Sequence, residues 1–151
     1  MDTSEVDFTG KVVPDSDKRA VLDVPGRLDA AWNDRNAREF AEIFTADASF
    51  RIHSGEWVIG QENIESFWRD IVFPNTTKGT RHEITPTRVH FVSQTVALGD
   101  GILQLVDRSK SPPEVQVNAA GTLVLLKQDS HWLVMAVRLA SLAVPAGQIA
   151  R

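Results

Sequence analysis

Apolar positions recur with a helical period over residues 17–44 and 61–72 and alternate over residues 49–59 and 80–142. Val21, Leu22, Leu28, Ala31 and Trp32 fall near i, i+7 and i+11 and form one stripe, which predicts a helix beginning near Asp17. Pro25 interrupts that stripe. Proline lacks the donor and clashes with the preceding turn, so the helix either kinks there or restarts with Pro25 in its first turn. Asn33-Asp34-Arg35-Asn36 ends it, and Asn36 is a candidate N-cap for a second helix carrying Ala37, Phe40, Ile43 and Phe44 on one face. Residues 49–53 alternate as a strand, Ser54-Gly55 reads as a hairpin turn, and residues 56–59 return. After Gly60, residues Ile64, Phe67, Trp68 and Ile71 repeat at i, i+3, i+4 and i+7, the clearest amphipathic helix in the chain. Pro74 stops it.

Four long strands follow, at 80–92, 95–106, 115–127 and 131–142, with Pro86 placing a break or an edge in the first. Ser93-Gln94 and Gln128-Asp129-Ser130 are tight turns, and a loop with Pro112-Pro113 lies between. Helices on one face of an antiparallel sheet make an α+β domain. The expectation is three N-terminal helices on a strongly bent antiparallel sheet. Such a sheet forms a cone with an apolar interior, and its mouth suits a small molecule. Residues 17–142 form this domain. Residues 1–16 read as a flexible tail, with Gly10 and Pro14 as breakers, and 143–151 as a C-terminal tail.

Composition narrows the chemistry. The net charge is -4, and Lys and Arg are scattered among acids, which argues against a nucleic-acid partner. With no cysteine, disulfides, thiolate metal sites and cysteine nucleophiles are excluded. With no tyrosine, no phenol can act as acid or oxyanion donor. No apolar run approaches the roughly 20 residues that span a bilayer, and the N-terminus has no secretory pattern, so a cytoplasmic location and no membrane partner are expected. The four histidines lack ligand spacing, so no metal is expected.

Trp32 at a helix end, Phe44-Thr45-Ala46-Asp47-Ala48 closing the next helix, the turn glycine Gly55, Gly60 before Ile64, and Asp129-Ser130-His131-Trp132-Leu133-Val134 near the end resemble the SnoaL-like and ketosteroid-isomerase-like members of the NTF2-like superfamily. The resemblance covers residues 17–142. It is closest to the SnoaL-like group with members from enediyne and polyketide gene clusters. It implies a cone with a buried pocket, a homodimer packed through the sheet, and no required cofactor. It does not imply one activity, because this fold hosts isomerases, cyclases, dehydratases, epoxide hydrolases and proteins without catalysis.

Ketosteroid isomerase chemistry needs a strand carboxylate and a helix tyrosine; the matching positions here hold Ile52 and Leu28. The Asp–Arg–Asp set of the fold's epoxide hydrolases has no match. An Asp–His dyad fits better, as in the fold's dehydratases and dehydrohalogenases: His82 is the candidate base and Asp34 its orienter, with Asn33 the ungapped match for the carboxylate. A neutral imidazole suits the base role, and a carboxylate on its other nitrogen sets the tautomer. His53, His90 and His131 read as turn-end, sheet-face and exposed residues. Gln104, Asn118 and Arg138 interrupt apolar strands and are candidate polar anchors, Arg138 sharing a face with Trp132, Val134 and Ala136 by period two. Trp32, Trp57 and Trp68 are candidate cavity walls for an apolar or aromatic ligand. Two readings stand: a cofactor-independent small-molecule enzyme performing proton-transfer cyclisation, isomerisation or elimination on an apolar carbonyl compound, and a non-catalytic ligand-binding or dimerisation module. Nuclear-transport-type protein recognition has only the fold behind it.

Overall fold

A computed structural model describes residues 5–144. In chain order its elements are β1 (Asp7–Gly10), α1 (Asp15–Asn33), α2 (Ala37–Glu42), β2 (Phe44–Arg51), β3 (Trp57–Ile59), α3 (Gln61–Phe67), β4 (Thr80–Phe91), β5 (Val96–Asp107), β6 (Glu114–Gln128) and β7 (His131–Ser141). Alpha-helix α3 runs on through a π-turn, Trp68–Val72, and a 3-10 turn, Phe73–Asn75, where Pro74 sits in the first turn. The strands form one sheet in the order β1-β4-β5-β6-β7-β2-β3.

Three features depart from the expected arrangement. The third helix follows the β2–β3 hairpin, so the helices are not all N-terminal. The sheet is mixed: β1 pairs parallel with β4, and β2 parallel with β7. Residues 7–10, expected in a loose tail, form β1 against Arg88–Phe91, and the Lys11 N–H donates to the Phe91 carbonyl at 2.8 Å. Phe8 packs on the core and Val6 is buried, which offsets the ordering of this short edge. The parts of the expected tails at 1–4 and 145–151 lie outside the described residues.

Helix α1 is one helix through Pro25, which is buried on its inner face. Asn36 caps α2, its side chain accepting the Glu39 N–H at 3.0 Å. The start of α1 is tied to the β6–β7 hairpin. Asp17 accepts from the buried Trp132 Nε1–H at 3.0 Å and pairs with Lys127 at 2.9 Å. The Trp132 hydrogen bond and then Lys127 hold the Asp17 carboxyl below the usual carboxylate range.

One sheet face packs on the helices and carries His82, Ile84, Val89 and Phe91 of β4 opposite Leu105, Leu103, Gly99 and Ala97 of β5. The pairing skips Thr87 in β4, Gln116 in β6 and Met135 in β7, so each is the extra residue of a bulge. A bulge shifts the alternation by one, and every later side chain changes face. In β7 this puts Trp132 and Val134 inward before Met135, and Val137 and Leu139 inward after it.

Candidate functional site

Two adjacent cavities lie between the inner sheet face and the helices. The deep one is about 70 Å³ and is bounded by Val21, Pro25 and Leu28 of α1 and by Ile84, Gly99 and Leu123 of the sheet. The outer one is about 190 Å³, with Trp32, Ile52, Phe67, Trp68 and Val72 as its apolar walls and His53, Ser54 and Glu56 of the β2–β3 turn at its rim. Phe50, His82, Leu103 and Leu139 border both. Leu28 is wall of the deep cavity and Ile52 of the outer one.

His82 is the one ionisable side chain at that shared wall. It is 7% exposed, and its ring stacks on Trp32 at 5.3 Å and 26°. Its Nδ1 is 2.8 Å from Oδ1 of Asp29 on α1. Both Asp29 oxygens also accept from the Ile84 N–H at 3.2 Å, which fixes the carboxylate. One turn further along α1, Asn33 accepts the His82 N–H at 2.7 Å and donates to the His82 carbonyl at 3.1 Å. Asp29 and Asn33 therefore clamp the ring and the backbone of the same residue. An ionised Asp29 can only accept, so neutral His82 carries its proton on Nδ1 and leaves Nε2 as a lone-pair acceptor. No hydrogen-bond partner for Nε2 occurs among the described residues, and no sealed side-chain nitrogen or oxygen among them lacks one, so Nε2 faces open space. The same reasoning leaves the Nε1–H donors of Trp32 and Trp68 open; these rings are 2% and 4% exposed and line only the outer cavity.

The expected partner of His82 sits elsewhere. Asp34 is exposed, caps the C-terminal end of α1 and lines a separate surface groove with Arg35, Arg38, Glu65 and Arg69. The last turn of α1 presents Asn33 to β4 and turns Asp34 out to that groove, and the carboxylate comes from one turn earlier. Arg35, in the left-handed region at φ 55, stacks on Trp32 at 4.4 Å and donates to the Thr77 and Thr80 carbonyls at 3.1 and 2.9 Å. Burial and then Arg81 lower its pKa.

Of the expected wall residues, Trp32 and Trp68 border the outer cavity, and Trp57 does not. Trp57 is 52% exposed on the edge strand, between the guanidinium groups of Arg51 at 5.4 Å and Arg138 at 4.7 Å. The anchors Arg138, Asn118 and Gln104 all lie on the outer sheet face. Arg138 was placed with Trp132 by period two, and the Met135 bulge breaks that period. It donates instead to the Ser49 carbonyl and hydroxyl at 2.9 and 3.0 Å. Gln104 donates to Asn118, its cross-strand partner, at 3.3 Å. His90 also faces outward, its Nδ1 2.7 Å from the Thr9 hydroxyl.

Sequence reading missed Asp29. Its signal was present: Val21, Pro25, Asp29 and Asn33 follow at intervals of four, so an acid occupies the row of α1 that Val21 and Pro25 mark as inward. No group of three or more metal-ligating side chains converges among the described residues, and no helix among them is long and apolar enough to cross a membrane.

The model of the SnoaL-like domain matches residues 21–144. The chain belongs to the SnoaL-like domain family. Solved structures share its NTF2-like, cystatin-like fold. A domain of unknown function from Nostoc punctiforme superposes with a TM-score of 0.77 at 22% identity, covering 87% of this chain and 80% of that one. An NTF2-like protein from Novosphingobium aromaticivorans gives 0.77 at 14% identity over 87% and 85%. A protein from Catenulispora acidiphila, solved in complex with S-DNPA, gives 0.70 at 17% identity over 85% and 95%. Identities this low show a shared fold alone. No protein of curated function matches this SnoaL-like domain by sequence.

Proposed function

We propose that this SnoaL-like domain is a cofactor-independent enzyme that moves a proton on an apolar carbonyl compound, in an isomerisation, cyclisation or elimination. His82 Nε2 removes a proton from the carbon beside the carbonyl. Asp29 holds the ring in the required tautomer and stabilises the imidazolium that forms, and the proton then returns from Nε2 to the product or leaves with the eliminated group. The Asp29–His82 hydrogen bond at the wall between two apolar cavities carries this reading. The open Nε1–H groups of Trp32 and Trp68 favour a carbonyl oxygen in the outer cavity, where an N–H donor stabilises enolate charge. The complex of the Catenulispora acidiphila protein with S-DNPA supports this fold as a holder of small organic ligands.

A second reading, a ligand-holding homodimer without chemistry, draws on the outer sheet face. There Leu98, Ile102, Val124, Leu126 and Met135 are only partly buried, along the same face that carries the Gln104–Asn118 pair. A dimer through that face is compatible with either reading.

The test needs no known substrate. Phenyl alkyl ketones in D₂O exchange the hydrogens beside their carbonyl when a base removes them, and proton NMR follows the loss of signal. The wild-type protein accelerates exchange and His82→Gln does not. Equal rates for the two proteins would refute His82 as the base.

A further inference from the structure

Gly99 has no structural reason to be glycine. It lies mid-strand in β5, opposite Val89 and Leu123, on the inner face. Its φ is outside the left-handed region, and a Cβ built there would meet only Leu125 Cδ1, at an ordinary 3.5 Å. Its neighbours differ. A Cβ on Gly101 would stand 2.6 Å from the Thr85 carbonyl oxygen, and one on Gly121 would stand 2.8 Å from Leu139 Cδ2. Those two glycines answer to packing. Gly99 weakens its strand and leaves open space beside it, which marks a place where a ligand comes close to the backbone.

That space is the floor of the deep cavity. The cavity is smaller than the outer one, and its wall is apolar around Ile84, Leu103, Leu123 and Leu125. At roughly 10–15 Å³ per water-sized sphere, its volume fits a branch of about five heavy atoms. The outer cavity exceeds the ~150 Å³ that holds a benzene ring in an engineered core, and its tryptophan walls suit a planar body. The two meet at His82.

We propose that the ligand is bipartite: a ring-sized body in the outer cavity, a carbonyl facing the indole N–H groups, and a short unbranched or singly branched alkyl arm lying over Gly99. The missing side chain at Gly99 sets the length of that arm. This rests on the proton-transfer reading, because it puts the carbon between ring and arm at His82 Nε2. The carboxylate of Glu56 at the rim, accepting from the Ser54 hydroxyl at 2.8 Å, selects neutral ligands over carboxylates on the ring side.

The experiment is a binding series of phenyl alkyl ketones from acetophenone to octanophenone, read by quenching of tryptophan fluorescence and repeated by calorimetry. In the wild type, affinity rises about fourfold per methylene until the arm reaches four or five carbons, then levels or falls. Gly99→Val removes most of that rise while leaving acetophenone affinity unchanged. Gly99→Ala, whose Cβ clashes with nothing, shortens the limit and does not lower the melting temperature. A flat series in the wild type overturns the proposal, as does a Gly99→Val variant that weakens acetophenone and the longer ketones equally. Hydrogen exchange on the same ketones reads the base separately. Length-dependent binding without exchange supports the bipartite cavity and removes His82 as base; exchange with a flat series retains the base and refutes the arm.

Discussion

Replacing Asp29 with asparagine tests the site at its least replaceable atom. Asp29 accepts from two donors, the His82 ring at 2.8 Å and the Ile84 N–H at 3.2 Å. Asparagine has one oxygen and one NH₂. The oxygen can retain the Ile84 N–H, which is a fixed backbone donor. The NH₂ then faces His82 Nδ1 and must donate to it, so the ring proton moves to Nε2 and the base is lost. A hydrogen bond to a charged acceptor is worth about 1.5–3 kcal/mol and a neutral one about 0.5–1.5. Two such exchanges amount to about 2–3 kcal/mol. The Asp29 side chain is 25% exposed, and screening by solvent lowers that to about 1–2 kcal/mol. For a chain of this size the melting temperature should fall by about 2–8 °C. The rate of proton abstraction should fall much further, toward the upper end of the ~10²–10⁴ range for general-base catalysis.

Three measurements separate the causes. Denaturation reads the stability change, ¹⁵N shifts of the His82 ring read the tautomer, and ketone hydrogen exchange reads the base. A base held at Nε2 by Asp29 predicts a folded Asp29→Asn protein with the proton on Nε2 and little exchange. It fails if the tautomer inverts and exchange persists at the wild-type rate, because Nε2 would then not be the acceptor. It fails equally if Asp34→Asn, which alters an exposed residue in a separate groove, slows exchange while Asp29→Asn does not.

Asp17 gives a pH dependence with a definite sign. Its carboxyl lies below the ordinary value of 3.8 in the folded chain, so its contribution is present above that value and disappears as pH falls through the folded value. The gap in urea midpoint between wild type and Asp17→Asn should therefore be full at pH 7 and shrink below about pH 4; a gap unchanged at pH 3 would contradict it. At position 35, lysine should not rescue the loss of arginine, because one ammonium cannot hold the Trp32 carbonyl with one nitrogen and the Thr77 and Thr80 carbonyls with a second, as the guanidinium fork does. Glycine there should be less damaging than alanine, since it adopts φ 55 without strain; urea unfolding at a cost of about 1–2 kcal/mol for alanine would show it. Val124→Lys on the outer face should give a monomer by light scattering and leave ketone binding unchanged; a protein monomeric before the substitution would exclude the sheet-to-sheet dimer.

The four long strands were legible to within about two residues because long alternation and short turns carry the signal locally; β2 was not, since it begins at Phe44, five residues before the expected strand and inside the expected second helix. Alpha-helix α3 was legible from Ile64, Phe67 and Trp68. What could not be read was parity. A bulge residue such as Met135 is chemically ordinary, and its effect is to change the face of everything after it. Arg138 was therefore assigned to the cavity from a correct strand and a period broken in its middle. The parallel partners of β1 and β2 were hidden for another reason: they come from pairings across long sequence separations, and Asp7–Gly10 is too short to alternate visibly. Within the candidate site, His82 was named only through the resemblance to the fold's dehydratases and dehydrohalogenases. Asp29 was obscured by its neighbours, since Asp34 lies in a conspicuous polar break and Asp29 in the midst of a helix.

The same helix that hid Asp29 explains how the cavities persist. Residues bordering an open space cannot hold each other apart, so the separation of α1 from the sheet must be set elsewhere. Two carboxylates do this. Asp17 fixes the start of α1 to Trp132 and Lys127, and Asp29, with Asn33, fixes its last turns to His82 and Ile84. Twelve residues of helix separate them, about 18 Å at 1.5 Å per residue. Between the two attachments α1 presents Val21, Leu22, Pro25 and Leu28 to the deep cavity, with no N–H at Pro25 to satisfy. Beyond the second attachment, Phe40, Phe44, Phe50 and Trp68 pack with centroids 4.8 to 5.8 Å apart and close the side toward α3. A slip of one residue along α1 would move Asp29 by about 1.5 Å and rotate it about 100°, enough to break the bond to Nδ1. The dimensions of the cavity and the alignment of the base thus depend on the same register, and substitutions at the attachments should disturb both where a change on the floor at Gly99 alters only what fits.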